Sequence, residues 1–305
     1  MPWFLIAFFG TVLFACTNHV DKYVIERYLK RGVVGSLVLF SALFSFFGAL
    51  VAVIVQPQVF DITLLQGTIL CLNGVLVMGA LLCYYYALEH DEATYVVPFY
   101  QTIPIFAYVL GFLILKETIG LGQIYASLII ILGALILSFD LAGAGFRFKT
   151  KVVVLMLTAS FLYGATSVLF KLVALDVGFW PATFWDYVGR FVLGVVLFLA
   201  IPSFRTQFFL LLRENKVTIL AFTSVSEILF IVGESLVAYA TLFAPVALVL
   251  LVNAFQPIVV LALGLVLTLL LPRLVSESLT RRQLVQKVIG VLLVVLGTYF
   301  VGVVQ

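Results

Sequence analysis

Arg190, Glu227 and Glu234 are the residues of this sequence best placed to do chemistry, because each sits deep inside an otherwise apolar run. A charge at the centre of a bilayer costs about 2.5–3.5 kcal/mol even on a lenient insertion scale, so each needs a partner or a task. Arg190 follows Pro181 by nine residues, which is roughly 13 Å into a membrane at about 1.5 Å per residue. Glu227 lies ten residues after Val217, roughly 15 Å from the opposite face. Glu227 and Glu234 are seven apart, so two helical turns return them to nearly one face and one cavity wall would present both carboxylates. The pattern suits a polar central site in which Arg190 engages an anionic group and a Glu engages an amine or a proton. Glu227 is the proton-coupling candidate, since surroundings of low dielectric favour a neutral carboxyl. The structural alternative is that Asp186, four residues before Arg190, neutralises it along the helix and leaves Glu227 as a protonated packing residue.

Uncharged polar residues supply a second set of substrate-binding candidates: Asn18 and His19, Asn73, Tyr100 and Gln101, Asn253 and Gln256, with Tyr163 and Trp185 beside them. Polar side chains in membrane helices more often bond helix to helix. Trp180, Trp185 and the Tyr84-Tyr85-Tyr86 triplet also suit an interfacial belt. Nothing in the spacing makes a catalytic constellation, since a Ser-His-Asp arrangement would have to use His19. Phosphate loop, metal box and Gly-rich dinucleotide turn are all missing from the sequence, so neither an enzyme, a direct user of ATP, nor a cofactor or metal protein is expected. Cys16, Cys71 and Cys83 fall in apolar runs and read as small packing residues.

The elements that must carry these residues are membrane helices. With 64% apolar residues, 10% charged residues and a mean hydropathy of +1.26, too little polar surface remains for a water-soluble globule. Each crossing needs about 20 apolar residues. The runs are continuous, not alternating, which excludes a barrel and predicts an all-α integral membrane protein. Ten spans are expected: Trp3–Val20, Gly35–Val55, Leu64–Leu88, Ala93–Leu115, Leu121–Phe139, Val152–Leu172, Ala182–Ile201, Val217–Thr241, Pro245–Leu271 and Val288–Val304. Short separators punctuate them: Gln56-Pro57-Gln58, Glu89-His90-Asp91-Glu92, Lys116-Glu117-Thr118, Gly143-Ala144-Gly145 with Arg147 and Lys149, and Trp180-Pro181. A net charge of +3 spread over such loops makes no basic face, so no nucleic-acid partner is expected. The run ending Leu13-Phe14-Ala15-Cys16 reads as a span and not as a lipoprotein leader, because no Lys or Arg precedes it.

Of the 17 Lys and Arg residues, 14 fall in the loops after spans 1, 3, 5, 7 and 9, two (Lys116 and Lys171) fall on the opposite side, and Arg190 is inside. Cytoplasmic loops retain positive charge, so both termini are expected to face away from the cytoplasm of a multi-pass cell (inner) membrane protein. An internal repeat is also visible. A shift of 149 residues puts Phe14-Ala15-Cys16-Thr17 on Tyr163-Gly164-Ala165-Thr166 and Lys22 on Lys171; a shift of 153 puts Tyr86-Ala87 on Tyr239-Ala240 and Pro104 on Pro257. After an insertion around Pro272 to Thr280, a shift of 164 puts Leu132-Gly133 on Leu296-Gly297 and Ala126 on Gly290. The expected halves are residues 1–142 and 150–305, five spans each. An odd number of spans per half inverts the second half in the membrane, which gives a direct route to alternating access about a site near the midplane. Ala126 with Gly133 and Gly290 with Gly297 form a matching small-residue stripe, expected to be a close helix seam.

Along essentially its whole length the sequence resembles the EamA-type members of the drug/metabolite transporter superfamily. The resemblance is carried by Tyr86-Ala87-Leu88, Lys116-Glu117-Thr118, Gln123 and Leu132-Gly133-Ala134, and by a second copy at Tyr239 to Leu271 and Leu296-Gly297. A Trp-Gly pair common in the first helix of such families is replaced by Phe14-Ala15 and Tyr163-Gly164. Glu117 matches the Glu expected at the fourth-span exit, whose repeat counterpart is Leu270. Arg190, in Gly189-Arg190-Phe191, looks like the Arg such members carry in the seventh span. The resemblance implies a ten-helix metabolite carrier and no particular substrate. The expected function is that of a secondary-active transporter, an exporter of a small polar or amphipathic metabolite such as an amino acid, with the lipid bilayer and protons as its other partners. The alternative from another class is a flippase or scramblase for a lipid-linked headgroup, suited by the aromatic content and basic loops. The charge distribution makes one direct prediction: a topology reporter fused after Gln305 is active outside the cytoplasm, and activity inside would overturn the orientation.

Overall fold

The computed structural model describes residues 2–28, 34–91, 96–138, 149–214, 217–270 and 281–303. Glu92, Gly143-Ala144-Gly145, Arg147, Lys30, Arg31, Lys216, Arg273 and the insertion at 272–280 lie outside the described residues. Among the described residues, ten helices are long and apolar enough to cross a membrane: Pro2–Asp21, Val34–Val55, Leu64–His90, Val97–Leu115, Leu121–Ser138, Thr150–Val177, Phe179–Ala200, Leu220–Thr241, Val246–Val266 and Gln283–Gly302. They are spans 1 to 10 below. Continuous apolar runs fold this way because lipid offers no partner to a backbone N–H or C=O, and a helix satisfies both within itself.

Most expected boundaries agree within a few residues. Span 6 is longer than expected, reaching Val177 instead of Leu172. Trp180-Pro181 is not a separator: both residues lie in the first turn of span 7, where proline's missing N–H costs nothing. The break is Gly178 alone, at a φ of 89° that favours glycine. A further helix, Pro202–Glu214, occupies what the sequence suggested was a loop after span 7. It lies against span 2, where the Gly35 amide donates to Gln207 Oε1 at 3.1 Å. Span 3 begins at a capping box, with the Gln66 amide donating to Thr63 Oγ1 and the Thr63 amide to Gln66 Oε1.

Spans 4 and 9 are the irregular ones. Span 4 runs as a 3₁₀ segment (Val97–Thr102), an α segment (Ile103–Leu110) and a π turn (Gly111–Leu115). Span 9 runs as α (Val246–Leu251), 3₁₀ (Val252–Phe255) and α again (Gln256–Leu270). Pro104 and Pro257 each stand second in the α segment that follows the 3₁₀ turn, where the tighter turn has already changed the hydrogen-bond pattern.

Span 1 packs along span 8, span 3 along span 6, span 2 along span 7, and span 5 along span 10; span 4 touches spans 6 and 9, and span 1 also touches span 9. Span 3 runs in close contact with span 7 as well, whereas spans 2 and 8 barely meet. Small residues allow the tightest crossings. A Cβ on Gly133 would lie 2.9 Å from the Gly290 carbonyl oxygen, and one on Gly297 would lie 2.9 Å from that of Ala126, which is the seam expected from the repeated stripe. The span 3–span 7 crossing is tighter still: a Cβ on Gly74 would sit 2.0 Å from the Asp186 carbonyl oxygen, and one on Gly189 would sit 2.0 Å from that of Cys71. Backbone faces backbone there, and neither can rotate away. Gly74→Ala and Gly189→Ala should each lower the thermal unfolding midpoint of the detergent-purified protein, by the equivalent of about 1–3 kcal/mol of overpacking. An unchanged midpoint in both would show that the two helices do not cross at those residues.

Candidate functional site

The Gly74–Gly189 crossing fixes what lies beside it. Asn73 precedes Gly74 on span 3, and Asp186 and Arg190 flank Gly189 on span 7, so the close approach brings these polar groups together inside the bilayer thickness. Asn73 Nδ2 donates to Asp186 Oδ1 at 2.9 Å. Arg190 Nη2 lies 2.6 Å from Asp186 Oδ2, one helical turn back. Span 8 completes the group: Arg190 Nη1 and Nη2 donate to Glu234 Oε2 and Oε1 at 2.6 and 3.0 Å, a bidentate fork. The Arg190 guanidinium also stacks 4.8 Å from the centre of the Tyr187 ring, whose hydroxyl is 3.2 Å from Ser235 Oγ. The pairing that sequence spacing allowed between Asp186 and Arg190 is therefore present, and Glu234 joins it. Both terminal nitrogens of Arg190 are engaged by the protein's own carboxylates, which leaves them unavailable to an anionic solute unless one carboxylate is displaced.

These groups line a cavity of about 60 Å³. Phe14 of span 1, Asn73 and Val77 of span 3, Tyr163, Thr166, Ser167 and Phe170 of span 6, and Leu250 and Asn253 of span 9 close the rest of its wall. Asn253 Oδ1 accepts from Thr11 Oγ1 at 2.9 Å, tying span 9 to span 1. Of the expected site residues, the cavity gathers Arg190, Glu234, Asn73, Tyr163 and Asn253.

The others lie elsewhere. Glu227 is not on the cavity wall with Glu234; its carboxylate accepts the Ser41 hydroxyl of span 2. One residue away Ser226 Oγ donates to Asp21 Oδ1 of span 1 at 2.5 Å. Tyr100 packs ring to ring with Tyr84, which in turn packs against Tyr85; both Tyr84 and Tyr85 are half-buried, and of the triplet only Tyr86 is exposed as a belt residue would be. Gln101 is buried in the 3₁₀ segment of span 4, and Gln256 is half-buried at the start of the last segment of span 9. His19 Nε2 bonds the Val260 carbonyl at 3.0 Å, and Asn18 is exposed. Trp185 donates its indole N–H to the Val59 carbonyl at 2.9 Å, pinning the Pro57–Phe60 turn.

Sequence reasoning gave no site role to Thr183, Tyr187, Ser235, Thr166, Ser167 or Thr241. A signal for the span 7 face was present: Thr183, Asp186, Tyr187 and Arg190 follow the i, i+3, i+4, i+7 pattern of one helical face.

A second ion pair ties spans 4, 6 and 9 together. Lys171 Nζ, in the last two turns of span 6, lies 2.6 Å from Glu117 Oε1 and donates to the Ala244 carbonyl at 2.8 Å. The other Glu117 oxygen accepts the Val246 amide at 2.9 Å, satisfying an open N–H at the start of span 9. The exit of span 4, the end of span 6 and the start of span 9 are thus clasped together.

No curated protein matches this sequence. A solved crystal structure of a protein superposes on it with a TM-score of 0.71 over 99% of this chain and 97% of its own length, at 13% identity, so the ten-helix fold is one already seen in a crystal. A family model for EamA-like transporters matches residues 1–139, the first five spans. The first half of the chain is thus similar to the EamA-like transporter family, and the ten-helix fold is shared with a solved structure along nearly its whole length.

Proposed function

We propose that this protein is a secondary-active carrier that exports a small polar or amphipathic metabolite, such as an amino acid, by alternating access. The observation that carries the reading is the position of the cavity: it lies between membrane-spanning helices and is lined by Asp186, Arg190 and Glu234, ionisable groups that lipid would not tolerate. Buried charge of this kind is by default a functional feature of a membrane protein.

Two inverted halves, 1–142 and 150–305, are supported by the helix pairing. Exchanging each span with the one five later turns the span 1–8 contact into the span 6–3 contact and the span 4–6 contact into the span 9–1 contact, and leaves the 2–7, 5–10 and 4–9 contacts in place. The matched interruptions of spans 4 and 9, with Pro104 and Pro257 in equivalent places, agree with it. The largest departure from the exchange is that spans 3 and 7 are tightly joined while spans 2 and 8 are not. Two similar halves in dissimilar arrangements are what a carrier caught with one side closed would present.

Glu227 is the candidate for proton coupling. Among the described residues neither it nor Asp21 forms an ion pair, and each takes a serine hydroxyl instead. A carboxylate bonded by a neutral donor can gain or lose a proton without stranding a partner charge.

A lipid-handling role has one observation in its favour, an apolar cavity of about 330 Å³ lined by Trp3, Phe4, Ile130, Leu251, Phe255 and Val301 among others. It shares no lining residue with the charged cavity, so a lipid-linked headgroup would have to bridge two separate sites. Reconstituted protein should drive counterflow of water-soluble metabolites and leave a labelled polyprenyl-phosphate lipid in its original leaflet; lipid movement without solute flux would reverse the assignment. In the same vesicles Glu227→Gln should abolish the pH dependence of flux, and a full rate with unaltered pH dependence would remove that residue from coupling.

A further inference from the structure

Three of the buried side-chain polar atoms that find no hydrogen-bond partner among the described residues belong to one wall: Asn73 Oδ1, Thr183 Oγ1 and Arg190 Nε. Their residues are 2%, 6% and 6% exposed. An unpaired polar atom at such depth costs about 1–3 kcal/mol, so three beside one cavity mark a place where something polar completes the structure. Asn73 cannot simply be turned round, because its amide nitrogen is already committed to Asp186. Its oxygen therefore calls for a donor. Arg190 Nε carries a hydrogen and calls for an acceptor, and the Thr183 hydroxyl can serve either way.

Charge narrows the occupant. Asp186 and Glu234 bring two negative charges to the cavity, and Arg190 brings one positive charge already shared between them. With all three ionised, the cavity wall holds one negative charge in excess. An anionic solute would double the excess, and it would have to displace a carboxylate lying 2.6 Å from the guanidinium to reach either terminal nitrogen. A cationic group cancels it.

We propose that this cavity is a binding site for a protonated organic amine of net charge zero or +1, and that it rejects anions. The ammonium donates to Asn73 Oδ1 and Thr183 Oγ1, and an acceptor atom on the same solute takes the Arg190 Nε hydrogen. In this closed arrangement about 60 Å³ is available, which at roughly 10–15 Å³ per water is room for a head group of a few atoms. This deepens the carrier reading and rests on it only for the claim that the amine is cargo.

Four solutes of nearly equal size separate the possibilities: ethanolamine, glycine, ethylene glycol and glycolate. Full-length protein in lipid nanodiscs should gain thermal stability with ethanolamine and glycine in a concentration-dependent way, and none with glycolate or ethylene glycol. Thr183→Val, which keeps the volume and loses the hydroxyl, should weaken amine affinity about tenfold, and Thr183→Ser should restore it. Stabilisation by glycolate equal to that by glycine, no stabilisation by either amine, or an unaltered affinity in Thr183→Val would each overturn the proposal, waters alone then filling the cavity. Amine binding without counterflow in vesicles would leave the site standing and remove the carrier reading. Anion counterflow with no amine binding would do the reverse.

Discussion

Lipid supplies neither counter-charge nor hydrogen bond, so every charge within the membrane must be closed by the protein itself, and the position of Arg190 turns that requirement into architecture. Its guanidinium is met by Asp186 on its own helix and by Glu234 on span 8, while Asn73 on span 3 holds Asp186 in place. Three helices are thereby fixed in register by four side chains. Desolvating such a pair offsets much of its attraction, and removing one partner costs about 3–5 kcal/mol because the remaining charge is stranded. The network therefore specifies an arrangement more than it adds to stability.

That arrangement depends on glycine. Only where Gly74 and Gly189 let two backbones touch do Asn73 and Asp186 come within bonding distance. A comparable approach at Gly133 and Gly290 joins spans 5 and 10, but neither of these helices lines the charged cavity. Their seam is mainly apolar, with Ala126, Ile130, Ala134, Leu137 and Val294 all buried in one cluster and Gln286 Nε2 donating to the Ile136 carbonyl at 2.6 Å. Without a hydrophobic force between helices in lipid, such packing is the main source of association. One crossing thus positions polar groups and the other holds the halves together at a distance from them.

The sequence made the helix count, most boundaries, the small-residue seam and five of the cavity residues legible, because each rests on a local pattern that lipid enforces. Continuous apolar runs have one solution, and intramembrane charge or amide is conspicuous against them. Partnership was less legible. Glu227 and Glu234 do share a helical spacing, yet Glu234 meets Arg190 whereas Glu227 meets Ser41, a separation set by which neighbouring helix covers each turn of span 8. Thr183 and Ser235 were overlooked because a lone hydroxyl in an apolar helix can bond its own backbone. Trp185, named as a site candidate and also as a belt residue, spends its N–H on the Val59 carbonyl and does not line the charged cavity. Trp180-Pro181 looked like a break only because proline's tolerance in a first helical turn was given too little weight against its reputation as a helix breaker.

Two groups of charged contacts near opposite ends of the helices differ in chemistry. Glu117 clasps Lys171 and the Val246 amide in one of them. In the clasp the two side chains are only 10% and 14% exposed, and separating them strands charge in a dry place. At the far end, where span 3 finishes and span 6 starts, Lys149 lies 3.6 Å from Asp91 with its side chain 60% exposed, and Lys151 contacts His90. Water replaces contacts of that kind at a cost of about 0–1 kcal/mol. The contacts that join the helices near one end are thus unequal to those near the other, and the inequality resides in individual side chains, not in the helices themselves.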